Sequence, residues 1–358
     1  MQYRELGDSG IEVSTVGFGA WTVGTDWWGD RDEADADGML TAALDAGITY
    51  FDTADVYGHG RSEEVVGDVL GEHRRDVVLA TKIGYDFYTN PQAGHGELPK
   101  EITVEYLDEA LDRSLERLGT DHVEVLQLHN ANVDEVDGDI LGWLDDIRGS
   151  RAEAIGWALG PSIGWLAEGD AAIEQEFDSL QVVFNLLEQD IGRHFLETID
   201  RTGSAASLIP RVPHSSGLLN EQVTPDTELA ADDHRSHRPD AWYETGWEKI
   251  ERLRFLERDG ARTMGQAAIQ WLLSFDAVTT VTPTFRSESD IDEWARAPST
   301  PALDTTERER VAELYAEDFG VDRFDGMRAA DYRSSVGNDD LRAAGLLEDE
   351  PDQRPADD

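Results

Sequence analysis

The chain has 358 residues and no cysteine, a composition that excludes disulfide bonds and thiolate-ligated metal sites. Its 76 acidic and 30 basic residues give a formal net charge of -46, which repels the phosphate backbone of nucleic acids. Ten tryptophans, eleven phenylalanines and dense apolar segments indicate a folded core and not a disordered acidic chain.

The acidic residues are spread along the whole sequence, which predicts a surface rich in carboxylates. Such a surface repels itself in dilute buffer, whereas at molar salt the screening length falls to about 3 Å. We therefore expect the protein to work in a high-salt cytosol. The polar N-terminal segment and the absence of any long apolar run predict a cytoplasmic protein with no signal peptide and no membrane partner.

In chain order, residues 2–13 are predicted to form a β-hairpin around a Gly-Asp-Ser-Gly turn. Strand-like and helix-like segments then alternate. The predicted strands are short, apolar and rich in β-branched residues, as is typical of buried parallel strands. They cover residues 14–19, 49–52, 77–81, 123–129, 154–158, 180–185, 207–211 and 277–281.

Amphipathic segments between these strands predict helices over residues 33–46, 62–73, 102–118, 139–148, 165–175, 247–259 and 305–318. Eight strands alternating with helices predict an α/β fold, a closed (β/α)8 TIM barrel with an N-terminal β-hairpin. The alternative is an open, doubly wound sheet. Such a sheet commonly begins with G-x-G-x-x-G, and residues 17–22 lack the third glycine.

The barrel is predicted to occupy residues 1–320, followed by a C-terminal extension over residues 321–358. We expect the last 14 residues of the extension, an acidic tail, to be disordered. Residues 220–246 are predicted to form a long acidic loop, functional or mobile. His234 and His237 in this loop have H-x-x-H spacing, but a metal site needs a third ligand, so we predict no metal.

Three predicted strands carry chemically useful residues where they end. Asp52 ends one strand, Lys82 follows the next and His129 ends the one after it, while Tyr57 lies in the loop after Asp52. The carboxyl ends of the strands converge on one face of a barrel. The sequence therefore predicts that a carboxylate, an ammonium, an imidazole and a phenol meet there.

This set suits proton transfer to a carbonyl group. A tyrosine ordinarily titrates near pH 10, and an ammonium beside it favours the phenolate, so Lys82 is predicted to tune the acidity of Tyr57. Asp52 is predicted to hold Lys82, and His129 to orient the carbonyl oxygen. The general acid/base would be Tyr57. A cofactor must supply the hydride.

The segments FDTADVYGHGRSEEVVGDVL (51–70), ATKIG (80–84) and LQLH (126–129) resemble the core of the aldo-keto reductase family. The resemblance extends over roughly residues 3–320. It implies a barrel oxidoreductase whose catalytic tetrad falls on Asp52, Tyr57, Lys82 and His129. The family binds an extended NAD(P)H molecule without a Rossmann domain.

The resemblance also implies residues that bind the cofactor. Gly19 and Trp21 would border the nicotinamide, and Arg211 lies in a strand where the family stacks an aromatic side chain or places an arginine. Gln181 either holds the carboxamide or forms a structural hydrogen bond.

Arg286 and Ser287 would contact the adenosine phosphate, or Arg286 would form a surface ion pair. An arginine suits a 2′-phosphate, which favours NADP(H), with NAD(H) as the alternative.

The chain departs from the family pattern at several of these positions. Ala158 and Leu159 replace a serine and an asparagine that ordinarily reach the carboxamide. Asp290, which would repel a phosphate, and Trp294 stand where later polar residues of the phosphate loop would fall.

Other residues near the predicted site admit two interpretations. Trp27 and Trp28 either line a substrate pocket or pack on the barrel rim. Glu63 and Glu64 are predicted to belong to a solvated helix start, where carboxylates suit the helix dipole.

The sequence thus predicts an NADP(H)-dependent enzyme that reduces aldehydes and ketones to alcohols reversibly. The predicted partners are small carbonyl and alcohol substrates. The alternative is a low-turnover subunit that senses or binds the nicotinamide cofactor on the same fold. A barrel lyase or isomerase that uses no nicotinamide remains a third possibility.

Overall fold

The structure is a computed structural model that describes residues 1–25, 33–90, 98–160, 165–229, 233, 235 and 240–321. Its centre is a parallel sheet of seven strands in sequential order. The strands are β3 (Phe18–Gly19), β4 (Tyr50–Asp52), β5 (Val78–Ile83), β6 (Val123–His129), β7 (Ala152–Ala158), β8 (Ser179–Val183) and β9 (Ser207–Arg211). Each strand pairs in parallel with the next, as the predicted alternation of strands and helices requires.

An antiparallel hairpin precedes this sheet, with strands β1 (Tyr3–Glu5) and β2 (Glu12–Ser14). The predicted hairpin is therefore confirmed. Its apolar side chains Leu6, Ile11 and Val13 are buried in one cluster with inward-facing strand residues such as Tyr50 and Val125. The hairpin thus plugs the amino-terminal end of the strands with apolar side chains and leaves the other end for polar ones.

The eighth predicted strand, residues 277–281, is not a regular strand in the structure. Instead it makes isolated parallel bridges to both edges of the sheet, between Val278 and Leu208 and between Val281 and Val16. The amide of Gly17 also donates to the carbonyl of Val281, at 2.9 Å. These bonds join β9 to the start of β3, so the curled sheet closes on itself.

Helices alternate with the strands along the described chain. They are α1 (Trp21–Gly24), α2 (Glu33–Asp45), α3 (Arg61–Leu70), α4 (Val104–Leu118), α5 (Gly138–Ile147), α6 (Trp165–Glu174), α7 (Asp190–Thr202), α8 (Asp240–Leu253), α9 (Met264–Leu272), α10 (Glu288–Trp294) and α11 (Thr305–Ala316). Among the described residues, no helix combines the length and the apolar character needed to cross a membrane. Every predicted helix has a counterpart, while α1, α7, α9 and α10 were not predicted.

Helix α8 begins at Asp240, seven residues before the predicted start at 247. Gly246 weakens the helical signal there, because glycine is a poor helix former. In the fold this glycine lies against Leu218, and a Cβ atom on it would come within 2.5 Å of a Leu218 methyl group. The loop predicted over residues 220–246 is therefore shorter than expected, because α8 already begins at Asp240. Gly246 allows this helix to pack closely against Leu218.

One buried ion pair ties α3, β5 and α4 together and corrects the sequence analysis. Glu63 is fully buried and does not belong to a solvated helix start, whereas Glu64 is exposed. The Glu63 carboxylate accepts hydrogen bonds from the Arg117 guanidinium at 2.7 Å and from the Thr81 hydroxyl at 2.5 Å. Burial raises the pKa of Glu63, and Arg117 opposes that rise.

We expect the substitution Arg117→Met to lower the free energy of unfolding by about 3–5 kcal/mol, because it leaves Glu63 buried without its cation. The loss should be larger at pH 8 than at pH 5, where Glu63 takes up a proton more readily. Urea unfolding at constant salt measures it. Arg113→Met on the same helix is the control, since its ion pair with Glu109 is exposed and is worth less than about 1 kcal/mol. Equal losses in both variants would contradict the assignment.

Candidate active site

The carboxyl ends of β4, β5, β6, β8 and β9 form a polar layer above the apolar plug. Alternate residues of a strand share a face, so β4, β5, β6 and β9 each continue from an apolar inner residue to a polar one, whereas on β8 Ser179 precedes Gln181. Ala80 precedes Lys82 in this way, and Ile209 precedes Arg211. The sequence patterns that predict strands therefore also fix which side chains enter this layer.

Lys82 lies at the centre of the layer and is 1% exposed. Its ammonium donates to Asp52 Oδ2 at 2.7 Å, to the carbonyl of Thr53 at 2.7 Å and to the hydroxyl of Tyr57 at 3.3 Å. Burial alone would lower the pKa of Lys82, but Asp52 and Tyr57 outweigh it and the pKa is raised. Lys82 is thus a fixed cation in contact with a phenol.

Two glutamines hold the other oxygen of Asp52. Gln127 and Gln181 donate to Asp52 Oδ1 at 2.9 and 3.0 Å. Gln181 therefore takes the structural hydrogen bond that the sequence left as one of two alternatives. Gln127 was not predicted, although it stands two residues before His129 on the same strand face, and this spacing was a usable signal.

His129 ends β6 and is 5% exposed. Its ring packs edge-on against the rings of Tyr85 and Tyr57, with centroids 4.8 and 6.0 Å apart. Burial, followed by the charges of Lys82 and Arg211, holds the pKa of His129 well below its usual value. The imidazole is therefore neutral near pH 7 and can share a hydrogen bond with a neutral oxygen.

A tight turn positions Tyr57. The turn continues through Gly58, whose φ is +59° and where a Cβ would come within 1.8 Å of the Gly24 carbonyl. The amide of Ser62 donates to the carbonyl of Tyr57 at 3.2 Å and starts α3. The Trp21 ring lies 6.2 Å from the Tyr57 ring. Glycine at 58 is therefore required by close backbone contact, and the phenol is fixed beside Lys82.

The structure brings three predicted cofactor residues to the same end of the barrel. Gly19 ends β3, with its amide 3.3 Å from the carbonyl of Pro283, and Trp21 begins α1 and is partly exposed. Arg211 ends β9, and its guanidinium donates to the carbonyl of Leu159. Ala158 and Leu159 themselves are buried apolar residues.

Arg286 and Ser287 lie where α10 begins. Ser287 caps this helix by accepting a hydrogen bond from the amide of Asp290. The Asp290 carboxylate in turn accepts from the amide of Arg286 at 2.8 Å and from the side chain of Gln222 at 3.2 Å. Burial, followed by the nearby Arg235, lowers the pKa of Arg286, while the carboxylates of Asp233 and Asp290 oppose that shift.

Several predictions fall outside the described residues. These are the possible pocket residues Trp27 and Trp28, the histidines His234 and His237, and the acidic tail within residues 322–358. Trp294, by contrast, is described and is 1% exposed, packed against the rings of Phe285 and His214. It belongs to the core.

The arrangement has a definite chemical capability. A phenol that contacts a buried ammonium can release its proton to an acceptor, since the positive charge stabilises the oxygen left behind. A neutral imidazole on the same rim can orient that acceptor.

Comparison with known proteins gives a family match. The sequence profile of the Aldo/keto reductase family matches residues 15–316. The aldo-keto reductase YhdN of Bacillus subtilis is 28% identical over 284 residues, 76% of this chain and 81% of that protein. A probable voltage-gated potassium channel subunit beta of Arabidopsis thaliana is 29% identical over 314 residues, 83% of this chain and 91% of that protein.

A solved structure is similar over the same region. The holo form of an aldo-keto reductase from Bacillus halodurans superposes with a TM-score of 0.71 at 25% identity. The match covers 88% of this chain and 96% of that one.

The neutral state of His129 is directly testable. We expect its imidazole NMR signal not to shift between about pH 5.5 and 8, because protonation would place a buried positive charge beside two cations. The variant His129→Gln assigns the signal among the nine histidines. The stability gained from a neutral His129 is present above the pKa of the unfolded imidazole and is lost as the pH falls below it. A titration midpoint near 6.5 would contradict the prediction.

Proposed function

Because the chain belongs to the aldo/keto reductase family, we propose that it reduces aldehydes or ketones to alcohols, reversibly, with Tyr57 as the general acid/base. As a family member it is an NAD(P)H-dependent oxidoreductase. The observation that carries the proposal is the 3.3 Å contact between the Lys82 ammonium and the Tyr57 hydroxyl, deep in the barrel mouth.

In this proposal the protein residues handle the proton and the orientation. Tyr57 donates its proton to the carbonyl oxygen, and the Lys82 ammonium stabilises the charge that develops on the phenol oxygen. Asp52 keeps Lys82 in place. His129, neutral and fixed by its aromatic neighbours, orients the carbonyl oxygen. The bound nicotinamide supplies the hydride.

The residues around the mouth fit a nicotinamide dinucleotide. Trp21 offers a partly exposed ring beside Tyr57, and Gly19 keeps that side of the mouth free of a side chain. We propose that both border the nicotinamide. Gln181 is bound to Asp52 and is assigned a positioning role instead.

For the adenosine end we propose Arg286 and Ser287, and we favour NADP(H) over NAD(H). Arg286 lies near Arg235, whose charge is paired with Asp233, and the fork of an arginine suits a 2′-phosphate. Of the two carboxylates that act on Arg286, Asp233 is bound to Arg235, and Asp290 is bound to a backbone amide and to Gln222.

A cofactor-sensing subunit is the second candidate. The similarity to a probable potassium channel subunit beta supports it, as does the replacement of two polar carboxamide positions by Ala158 and Leu159. Turnover distinguishes the two candidates.

The first experiment is a fluorescence titration with NADPH and NADH at molar KCl, followed by assays of NADPH oxidation with a panel of aldehydes and ketones. We expect tighter binding of NADPH and measurable turnover. Tyr57→Phe should bind NADPH within about threefold of wild type, since the ring remains, but lose about 10²- to 10⁴-fold in turnover.

Other outcomes are equally informative. Tight NADPH binding without oxidation by any carbonyl would favour the sensing subunit. Full activity in Tyr57→Phe would remove the proposed acid/base, and failure to bind either nucleotide would end the proposal.

We also propose that the protein works in a high-salt cytosol, on the ground of its net charge of -46. Its melting temperature should rise by roughly 5 °C between 0.1 M and 3 M KCl. Screening removes several kcal/mol of self-repulsion, and each kcal/mol shifts the midpoint of a 358-residue chain by roughly 1.3 °C. Calorimetry measures it, with glycerol as an uncharged control. A midpoint that does not respond to KCl would contradict the proposal.

A further inference from the structure

The orientation of the His129 imidazole depends on ring packing. The Tyr85 ring packs edge-on against it, with ring centroids 4.8 Å apart and ring planes inclined at 71°. The Tyr57 ring lies farther away, with a centroid distance of 6.0 Å. Edge-on aromatic pairs are favourable because the positive edge of one ring meets the negative face of the other, and this fixes their mutual orientation. Of the two rings, that of Tyr85 therefore has the closer hold on the imidazole.

Tyr85 lies in the segment after β5 and is itself held at both ends. Its hydroxyl accepts a hydrogen bond from the side-chain amide of Asn130, the residue that follows His129. Its backbone carbonyl accepts another from the hydroxyl of Tyr106 on α4, at 2.7 Å. Burial raises the pKa of Tyr106, so its hydroxyl stays protonated and remains a donor. A movement of Tyr85 away from His129 would break these bonds.

The backbone turns sharply at Asn130, and its side chain returns to Tyr85. The φ angle of Asn130 is +55°, in the left-handed region that asparagine tolerates better than most residues. Its amide donates to the carbonyl of Ala158 at 2.8 Å and so continues the pairing of β6 with β7. Sparsely populated backbone conformations cluster at functional sites, because the surrounding structure must maintain them. The strand that ends with His129 thus also supplies the residue that holds Tyr85.

A second set of contacts joins the same two segments. Tyr85 forms an antiparallel bridge with Lys100, and the Lys100 ammonium donates to the side-chain oxygen of Asn132 at 3.1 Å. Asn132 lies in the loop after β6, three residues after His129. The segment after β5 and the loop after β6 are therefore joined through Asn130 and again through Asn132, which locates Tyr85 relative to His129 at two points.

The Tyr85 ring also covers the imidazole. Burial is the largest cause of the lowered pKa of His129, ahead of the charges of Lys82 on β5 and Arg211 on β9. The phenols of Tyr57, after β4, and Tyr85, after β5, are the titratable rings packed against it. Because Tyr85 is the closer of the two, its ring contributes to keeping His129 dry and neutral as well as oriented.

We propose that Tyr85 is a positioning residue, whose ring sets the orientation of the His129 imidazole toward the carbonyl oxygen, and that Asn130 holds this ring in place. This rests on the proposed reduction of carbonyls, in which His129 orients the substrate. Tyr85 acts through His129 and not by contact with the reacting atoms. Misplacing an orienting group by about 1 Å can reduce a rate about 10²-fold, so a small rotation of the imidazole has a large effect.

The first test compares wild type with Tyr85→Leu, which removes the ring, and with Tyr85→Phe, which keeps it. For reduction of the carbonyl that wild type reduces fastest, Tyr85→Leu should lose about 10²-fold in kcat, because the imidazole is misaligned. Its KM and its binding of NADPH should stay within about threefold of wild type. Tyr85→Phe should recover most of the loss and stay within about fivefold, since it lacks only one neutral hydrogen bond.

A double-mutant cycle tests whether Asn130 acts through Tyr85. Asn130→Gly tolerates the positive φ angle and removes the side-chain amide. It should lose about two- to fivefold in kcat, as Tyr85→Phe does. The double variant should lose no more than either single variant, because both substitutions break the same hydrogen bond. Losses that multiply in the double variant would contradict the proposal.

An NMR measurement tests the positioning without turnover. The imidazole signal of His129, assigned with His129→Gln, should move in Tyr85→Leu. It should also titrate at a higher pH than in wild type, above about pH 5.5, because water replaces the ring and the imidazole is less buried. Tyr85→Phe should keep the wild-type behaviour, since its ring still covers His129.

Tyr88→Leu is the matched control, because it removes a phenol ring from the same segment. The Tyr88 ring faces the Arg113 guanidinium, 4.3 Å from its centroid, and the Tyr88 hydroxyl accepts from Arg117 at 3.0 Å. This variant should keep kcat within about threefold of wild type and leave the His129 signal where it is.

A Tyr85→Leu variant that keeps its kcat, or whose His129 signal is unchanged, would overturn the proposal. So would an equal loss in Tyr88→Leu, or a Tyr85→Phe variant as impaired as Tyr85→Leu. If Tyr85→Leu does not fold, the cycle of Tyr85→Phe and Asn130→Gly decides: a shared loss supports the proposal, and independent losses or none refute it. If wild type oxidises NADPH with no carbonyl, the proposed function fails separately, and the NMR comparison still decides whether Tyr85 positions the imidazole.

Discussion

The site depends on one buried charge pair, the Lys82 ammonium held by Asp52 at the centre of the barrel. With Lys82 1% exposed, an isolated ammonium would cost several kcal/mol, so the carboxylate must be present and rigid. Oδ2 of Asp52 binds Lys82, and Oδ1 binds the amides of Gln127 and Gln181. Gln127 lies on β6 and Gln181 on β8, with β7 between them, so the curling of the sheet into a ring is itself what brings both side chains to Asp52 and fixes the cation that Tyr57 contacts. A sheet left open would hold fewer of these four groups together.

The sequence predicts this part of the molecule well because its signals are local. The strands β6 and β9 have the predicted bounds, and each contains short apolar stretches that stand out from the polar segments around them. The last residue of such a strand lies at the mouth of the barrel, because the carboxyl ends of the strands all meet on that face. The eighth strand was harder, because its pairing is reduced to single bridges between sheet edges that are distant in sequence. The short helix α10 and the glycine within α8 gave similarly weak local signals.

Side-chain partners that depend on two distant segments could not be predicted. Glu63 opens a helix and has the sequence context of a solvated carboxylate, yet it is buried because Arg117, on the next helix, lies over it. Gln181 offered two roles from sequence, and the sequence gives no sign of its hydrogen bond to Asp52. In both cases a polar residue has a counterpart more than fifty positions away. Composition and periodicity carry no information about such a pair.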